Sequence, residues 1–121
     1  MLDPDELYFT SEDYYNLIRV LGNEIDAEST AAEKNNHIDA CEHGFKVWAC
    51  LLELMKMLEA DSVYDLATNG VTIYDLPYWA TCFADELSQA YRQDRSYLQK
   101  KLSFCKHYVE MHAAGVKIDV T

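Results

Sequence analysis

The residues of this chain that could do chemistry are four cysteines, four histidines and a few neighbouring acids. Cys41-Glu42-His43 and Cys105-Lys106-His107 share a Cys-x-His spacing. Residues two apart on a helix point to nearly opposite sides, so neither pair closes easily on one metal ion. His37 and Cys41 are better placed, four apart on one face with Glu33 a turn earlier. The ordinary reading of that trio is a core cysteine beside a surface histidine. Cys105 near His107 or His112 is the candidate thiol nucleophile with a base. It falls on an expected core face, where burial raises a thiol's pKa and blunts its reactivity. Asp85 and Glu86 are adjacent, about 100° apart around a helix, and make a weak acid/base pair. There is no C-x-x-C pair, and no G-x-S-x-G elbow. Gly22, Gly44, Gly70 and Gly115 are too dispersed for a phosphate cradle. The expectation is a protein that is not an enzyme, with no catalytic residue, no metal and no cofactor.

The charge layout says more. The chain has 121 residues and a formal net charge of −11. Residues 1–61 carry fourteen acids against Arg19, Lys34, Lys46 and Lys56; residues 62–121 are nearly balanced, with seven acids and six bases. Within residues 1–33 nine acids meet one base, Arg19. Gripping a phosphate backbone requires clustered Lys and Arg, so direct nucleic-acid binding is excluded as a general role. The second half holds a smaller basic group of Arg92, Arg95, Lys100, Lys101 and Lys106. If the fold keeps these segments apart, the molecule is polarised.

The N-terminus lacks the basic and apolar regions of a secretory signal. The most apolar stretch, from Val47 to Leu58, is interrupted by Glu53 and Lys56 and is too short to span a bilayer. Free, mostly buried thiols in a cytoplasmic protein are expected, with no membrane association.

These features must be positioned by helices. Half the residues are apolar, enough for one domain's core. A single acidic all-α domain over 1–121 is expected, a compact bundle of about four main helices without significant sheet, with 1–10 and 116–121 as loose tails. Asp3-Pro4 suits a short helical start. Thr10 to Asp13 starts a helix whose apolar row is Tyr14, Ile18, Leu21 and Ile25; Gly22 ends it early or is tolerated inside it. Residues 26–36 read as a loop or as an exposed start to the next helix. From about Asn36 to Glu59, Ile38, Cys41, Phe45, Trp48, Leu52 and Met55 form one seam, widened by Val47, Leu51, Leu54 and Leu58. Gly44 in its middle implies a close neighbour. A short turn after Asp61-Ser62 ends at Asn69-Gly70, and Val71 to Tyr74 reads as an extended linker. Asp75 caps a helix with Pro77 in its first turn and Trp79, Phe83, Leu87 and Ala90 inward. Asp94 opens the last helix, with Leu98, Leu102, Cys105 and Val109 toward the core and Tyr97, Phe104, Tyr108 and Met111 as a second row.

The Trp48-bearing helix, the segment Tyr-Trp-Ala-Thr-Cys-Phe-Ala-Asp-Glu-Leu at 78–87, and Tyr-Leu-Gln-Lys-Lys-Leu-Ser-Phe-Cys-Lys at 97–106 resemble uncharacterised bacterial helical proteins loosely related to tetratricopeptide folds. The tetratricopeptide pattern itself fails around Trp48 and Trp79 at its glycine and alanine positions. The resemblance implies helix hairpins and protein binding, and carries over no catalytic residue.

Two functions follow as expectations. The first is a non-enzymatic module whose acidic face docks on a basic protein surface. Its sharp form is an inhibitor that mimics nucleic acid against a nuclease or nucleic-acid-binding protein. In size and charge the chain resembles the small acidic inhibitors of phages and mobile elements, including anti-CRISPR inhibitors. Glu12, Asp13, Glu24, Asp26 and Glu28 are the candidate acids. Tyr8, Tyr15, Tyr64 and Tyr74, in or beside acidic segments and loops, are the candidate aromatic contacts. Tyr14, Tyr78, Tyr91 and Tyr108 read as core margin. The second is a helical adaptor that holds a peptide, or a second copy as a homodimer, in an apolar groove.

Overall fold

The computed structural model describes residues 11–68 and 74–115. Among them the chain is all-α, an array of five helices without a strand. They are α1 (Ser11–Glu33), α2 (His37–Met57), α3 (Val63–Thr68), α4 (Leu76–Tyr91) and α5 (Ser96–Gly115). The expected short start at Asp3-Pro4, the stop at Asn69-Gly70 and most of the linker from Val71 lie outside the described residues.

Local chemistry sets most boundaries. Asp75 caps α4 by accepting a hydrogen bond from the Tyr78 amide at 3.1 Å, and Pro77 sits in the first turn where its missing N–H costs nothing. Ser62 Oγ accepts from Asp65 N at 3.0 Å and opens α3. Asp94 takes the Ser96 amide at 2.9 Å, which holds the Asp94 carboxyl below its ordinary pKa. α1 and α2 both end in a left-handed residue, Asn35 (φ 59°) and Glu59 (φ 54°). In each case the next amide reaches back to close the last turn, Asn36 to Ala31 O at 2.9 Å and Ala60 to Met55 O at 2.8 Å.

α1 runs further than its sequence suggests. Gly22 does not stop it, and residues 26–33 are helical. The reason is tertiary: Leu21, Glu28 and Ala31 are buried, so the polar second half of α1 is held by packing.

α1 packs on α2, α2 on α4, and α4 on α5, while α3 touches α2, α4 and α5. Val47, Leu51 and Leu54, the row that widens the α2 seam, are fully buried; Ile38, Phe45 and Leu52 are half-buried, and Leu58 is exposed. At the centre the Trp48 and Trp79 rings stack at 6.5 Å, Trp79 stacks on Phe83 at 5.2 Å, and Phe104 meets Trp48 edge-on at 5.0 Å. Gly44 is required by this arrangement. A Cβ there would collide with the Phe83 ring edge and stand 3.1 Å from Glu28 Oε2.

α5 corrects the expected orientation. Tyr97 and Phe104 are buried and Tyr108 and Met111 half-buried, whereas Leu98, Leu102 and Val109 are exposed. Both rows have helical spacing, so periodicity could not choose between them. The aromatic row wins because its rings bury more area and find ring partners, and the Tyr97 hydroxyl donates to Glu42 at 2.7 Å.

Candidate functional site

Four glutamates act as ties between helices, among them Glu24 and Glu28, expected as partner-binding acids, and Glu86, expected in a weak acid/base pair. Glu24 Oε2 lies 2.6 Å from His43 Nδ1, joining α1 to α2. Glu86 pairs with His37, joining α4 to α2. Glu42 accepts from Tyr97, joining α2 to α5, and Glu28 accepts from the Trp79 indole N–H at 2.8 Å, joining α1 to α4.

Glu28 is the most altered of these. It is buried, so it leaves the set of exposed acids expected on α1. Burial pushes its carboxyl up to about 7; the Trp79 N–H opposes this, the nearby Glu86 charge adds to it, and His43 offsets part. The sequence held a signal for its burial. Leu21, Ile25, Glu28 and Ala32 continue the α1 seam by steps of four, three and four. Its partner Trp79, 51 residues along the chain, was not visible from sequence.

Glu28 and Trp79 meet at the base of a groove of about 750 Å³ between α1 and α4. Its apolar part comes from Ile25 and Ala32 of α1 together with Tyr74, Tyr78 and Trp79. Among the described residues, four carboxyl groups line it, from Glu28, Asp75, Asp85 and Glu86, and no lysine or arginine does. Tyr74, an expected contact, is half-buried in this lining and packs over Gly22 of α1. Tyr78, expected at a core margin, is instead 66% exposed on the groove's edge, where hydrogen bonding with Cys82 raises its pKa. Sequence reasoning missed Asp75, Tyr78, Asp85 and Glu86 as one surface, because the groove forms only when α1 and α4 both pack on α2.

The other expected contacts scatter. Glu12, Asp13 and Asp26 are exposed on α1, as are Tyr15 on α1 and Tyr64 on α3. Asp26 lies on the opposite flank of α1, in a smaller recess shared with Lys34, Asp39 and His43. Tyr8 lies outside the described residues. Tyr14 and Tyr108 are half-buried, as core-margin residues should be, and Tyr91 is exposed.

The described thiols and histidines stand in separate settings. Cys41 is buried, and desolvation, aided by Glu86 and Glu28, pushes its thiol up to about 12. Its helical neighbour His37 is engaged by Glu86. Burial likewise raises Cys50, while Cys82 is exposed and Cys105 half-buried; all four are free. The exposed His107 stands edge-on to Trp48 at 5.4 Å, and the His112 side chain lies outside the described residues. Among the described residues no three His, Cys, Asp or Glu side chains gather as a metal site, and no helix is long and apolar enough to cross a membrane. No family model, no curated protein and no solved structure matches the chain.

Proposed function

We propose that this protein is a non-enzymatic binding module that docks its α1/α4 side on a basic protein surface. The observation that carries this reading is the groove, a cleft to which the described residues bring four carboxyl groups, three aromatic residues and no lysine or arginine. A lysine or arginine side chain entering it would meet the carboxylates of Asp75, Asp85 and Glu86 in a partly desolvated setting, and ring faces suited to a cation. The exposed Glu12, Asp13 and Glu33 of α1 extend the negative field and steer a basic partner toward it. The sharper form is an inhibitor of a nuclease or another nucleic-acid-binding protein, with carboxylates standing where phosphates would lie, as in anti-CRISPR-type inhibitors. Four free thiols fit a reducing, cytoplasmic setting.

The test uses a short fluorescent oligo-arginine peptide as a stand-in for a basic surface. Raising salt from about 0.1 M to about 1 M shortens the screening length from about 10 Å to about 3 Å, and affinity should fall at least about tenfold. Asp85→Lys should weaken binding several-fold at low salt. Affinity that ignores both salt and Asp85→Lys would contradict the reading.

A further inference from the structure

α5 carries two apolar rows, and the fold uses one. Leu98, Leu102, Cys105 and Val109 step by four, three and four residues along the helix. Leu98 is 42%, Leu102 54% and Val109 63% exposed, with Cys105 half-buried between them. Isolated exposed aliphatics are commonplace, but a line of them at seam spacing is an unpartnered helix face. The spacing is that of alternating core positions in a coiled coil, so Lys101 and Lys106 fall on the two flanks that select a partner. Lys101 donates to Ser88 Oγ at 2.6 Å, and among the described residues neither lysine is within ion-pair distance of a carboxylate. From Ser96 to Met111, α5 holds Lys100, Lys101 and Lys106 against the single acid Glu110, reversing the sign of the chain as a whole.

That charge decides the occupant. A second copy paired in parallel would set Lys101 of one chain opposite Lys106 of the other. Paired antiparallel, it would still gather the same four lysines along one seam. The flanking positions 99, 101, 106 and 108 are Gln, Lys, Lys and Tyr, so a copy brings no acid to offset them. The acidic α1 of a second copy does not fit either, because its exposed apolar residues, Tyr15 and Val20, do not form a row. We infer that this face of α5 docks an amphipathic helix of another protein, one whose apolar seam is flanked by Glu or Asp. The molecule is then an adaptor with two surfaces of opposite preference. This second surface stands or falls independently of the groove.

Two fluorescent heptad peptides with the same leucine seam, one with Glu and one with Lys at the flanking positions, test this against the full chain by anisotropy. The acidic peptide should bind at least about tenfold tighter than the basic one at physiological salt, where the distant α1 charge is screened beyond about 8 Å. Lys101→Glu/Lys106→Glu should reverse that preference. Leu102→Lys should abolish binding of the acidic peptide with the circular dichroism spectrum unchanged. Equal binding of the two peptides, or binding of neither, overturns the inference. So does a chain that sediments as a dimer and becomes monomeric with Leu102→Lys, since the occupant would then be a second copy.

Discussion

The outer helices α1 and α5 both lie at the edge of the array, α1 against α2 with Glu28 reaching Trp79 of α4, and α5 against α4 with its rings reaching Trp48 of α2, yet they solve that position differently. α1 sends a carboxyl group inward, Glu28, and keeps acids outward. α5 sends aromatic rings inward and leaves an aliphatic row outward between lysines. The contrast shows that exposure and chemical type are poorly linked at the edge of a small bundle. An edge helix can bury a polar residue if a single donor meets it, and can expose apolar ones if better rings fill the core.

The first way to break this comparison is to exchange the fates of the α5 rows. Phe104→Ala removes a ring that touches Trp48, Trp79, Phe83 and Tyr108, and should cost about 3–5 kcal/mol in a denaturant melt. A loss below about 1 kcal/mol would mean that the aromatic row does not hold α5 in place.

The next probe is Glu28. Below pH 4.5, its ordinary value, the carboxyl is neutral in both folded and unfolded chains. From there to about 7 the unfolded chain ionises while the folded one keeps its proton, so this group's contribution to stability falls as pH rises. The full loss is on the order of 3 kcal/mol by pH 8. Glu28→Gln keeps an acceptor for Trp79 and removes the titration. The stability difference between wild type and Glu28→Gln should therefore widen in the variant's favour from pH 4 to pH 8. A difference that does not vary with pH would show that Glu28 is ionised in the fold.

Two glycines sharpen the α1 side. Gly44→Ala drives a methyl into Phe83 and should cost about 1–3 kcal/mol. Gly22→Ala places its Cβ at an ordinary 3.6 Å from the Tyr74 hydroxyl and should gain up to about 1 kcal/mol from helix propensity. Thermal melts of the two variants should move in opposite directions.

The smallest expected effect is Leu102→Lys. With its side chain half in water and no ring partner, its melt should stay within about 0.5 kcal/mol of wild type. A large loss would place Leu102 in the core and remove the case for an open α5 face.

How much of this could be read in advance depended on range. Asp75, Pro77 and the α2 seam were legible because a cap, a first-turn proline and a 3.6-residue period are written within a few residues. Gly44 announced a close neighbour, though not that it would be Phe83. The end of α1 was only partly legible: Leu21, Ile25, Glu28 and Ala32 keep the helical period, but the packing that buries Glu28 and Ala31 and holds the polar run 26–33 comes from other helices. The two rows of α5 were both visible, and choosing between them required the ring partners Phe83 and Trp48, which lie 21 and 56 residues before Phe104. The groove was illegible for the same reason: its carboxyl groups come from α1, the α4 cap and the middle of α4. Only α2 brings them together.

The two tryptophans offer the most direct measurement. Trp79 lines the acidic groove, and Trp48 lines a smaller recess between α2 and α5 with Lys100 and His107. Their indole N–H signals can be followed by nitrogen-edited NMR while the oligo-arginine peptide is added. Docking on the α1/α4 side predicts a saturable shift of the Trp79 signal with Trp48 unmoved, lost in Asp85→Lys. A shift confined to Trp48, or none at either indole at saturating peptide, would contradict it.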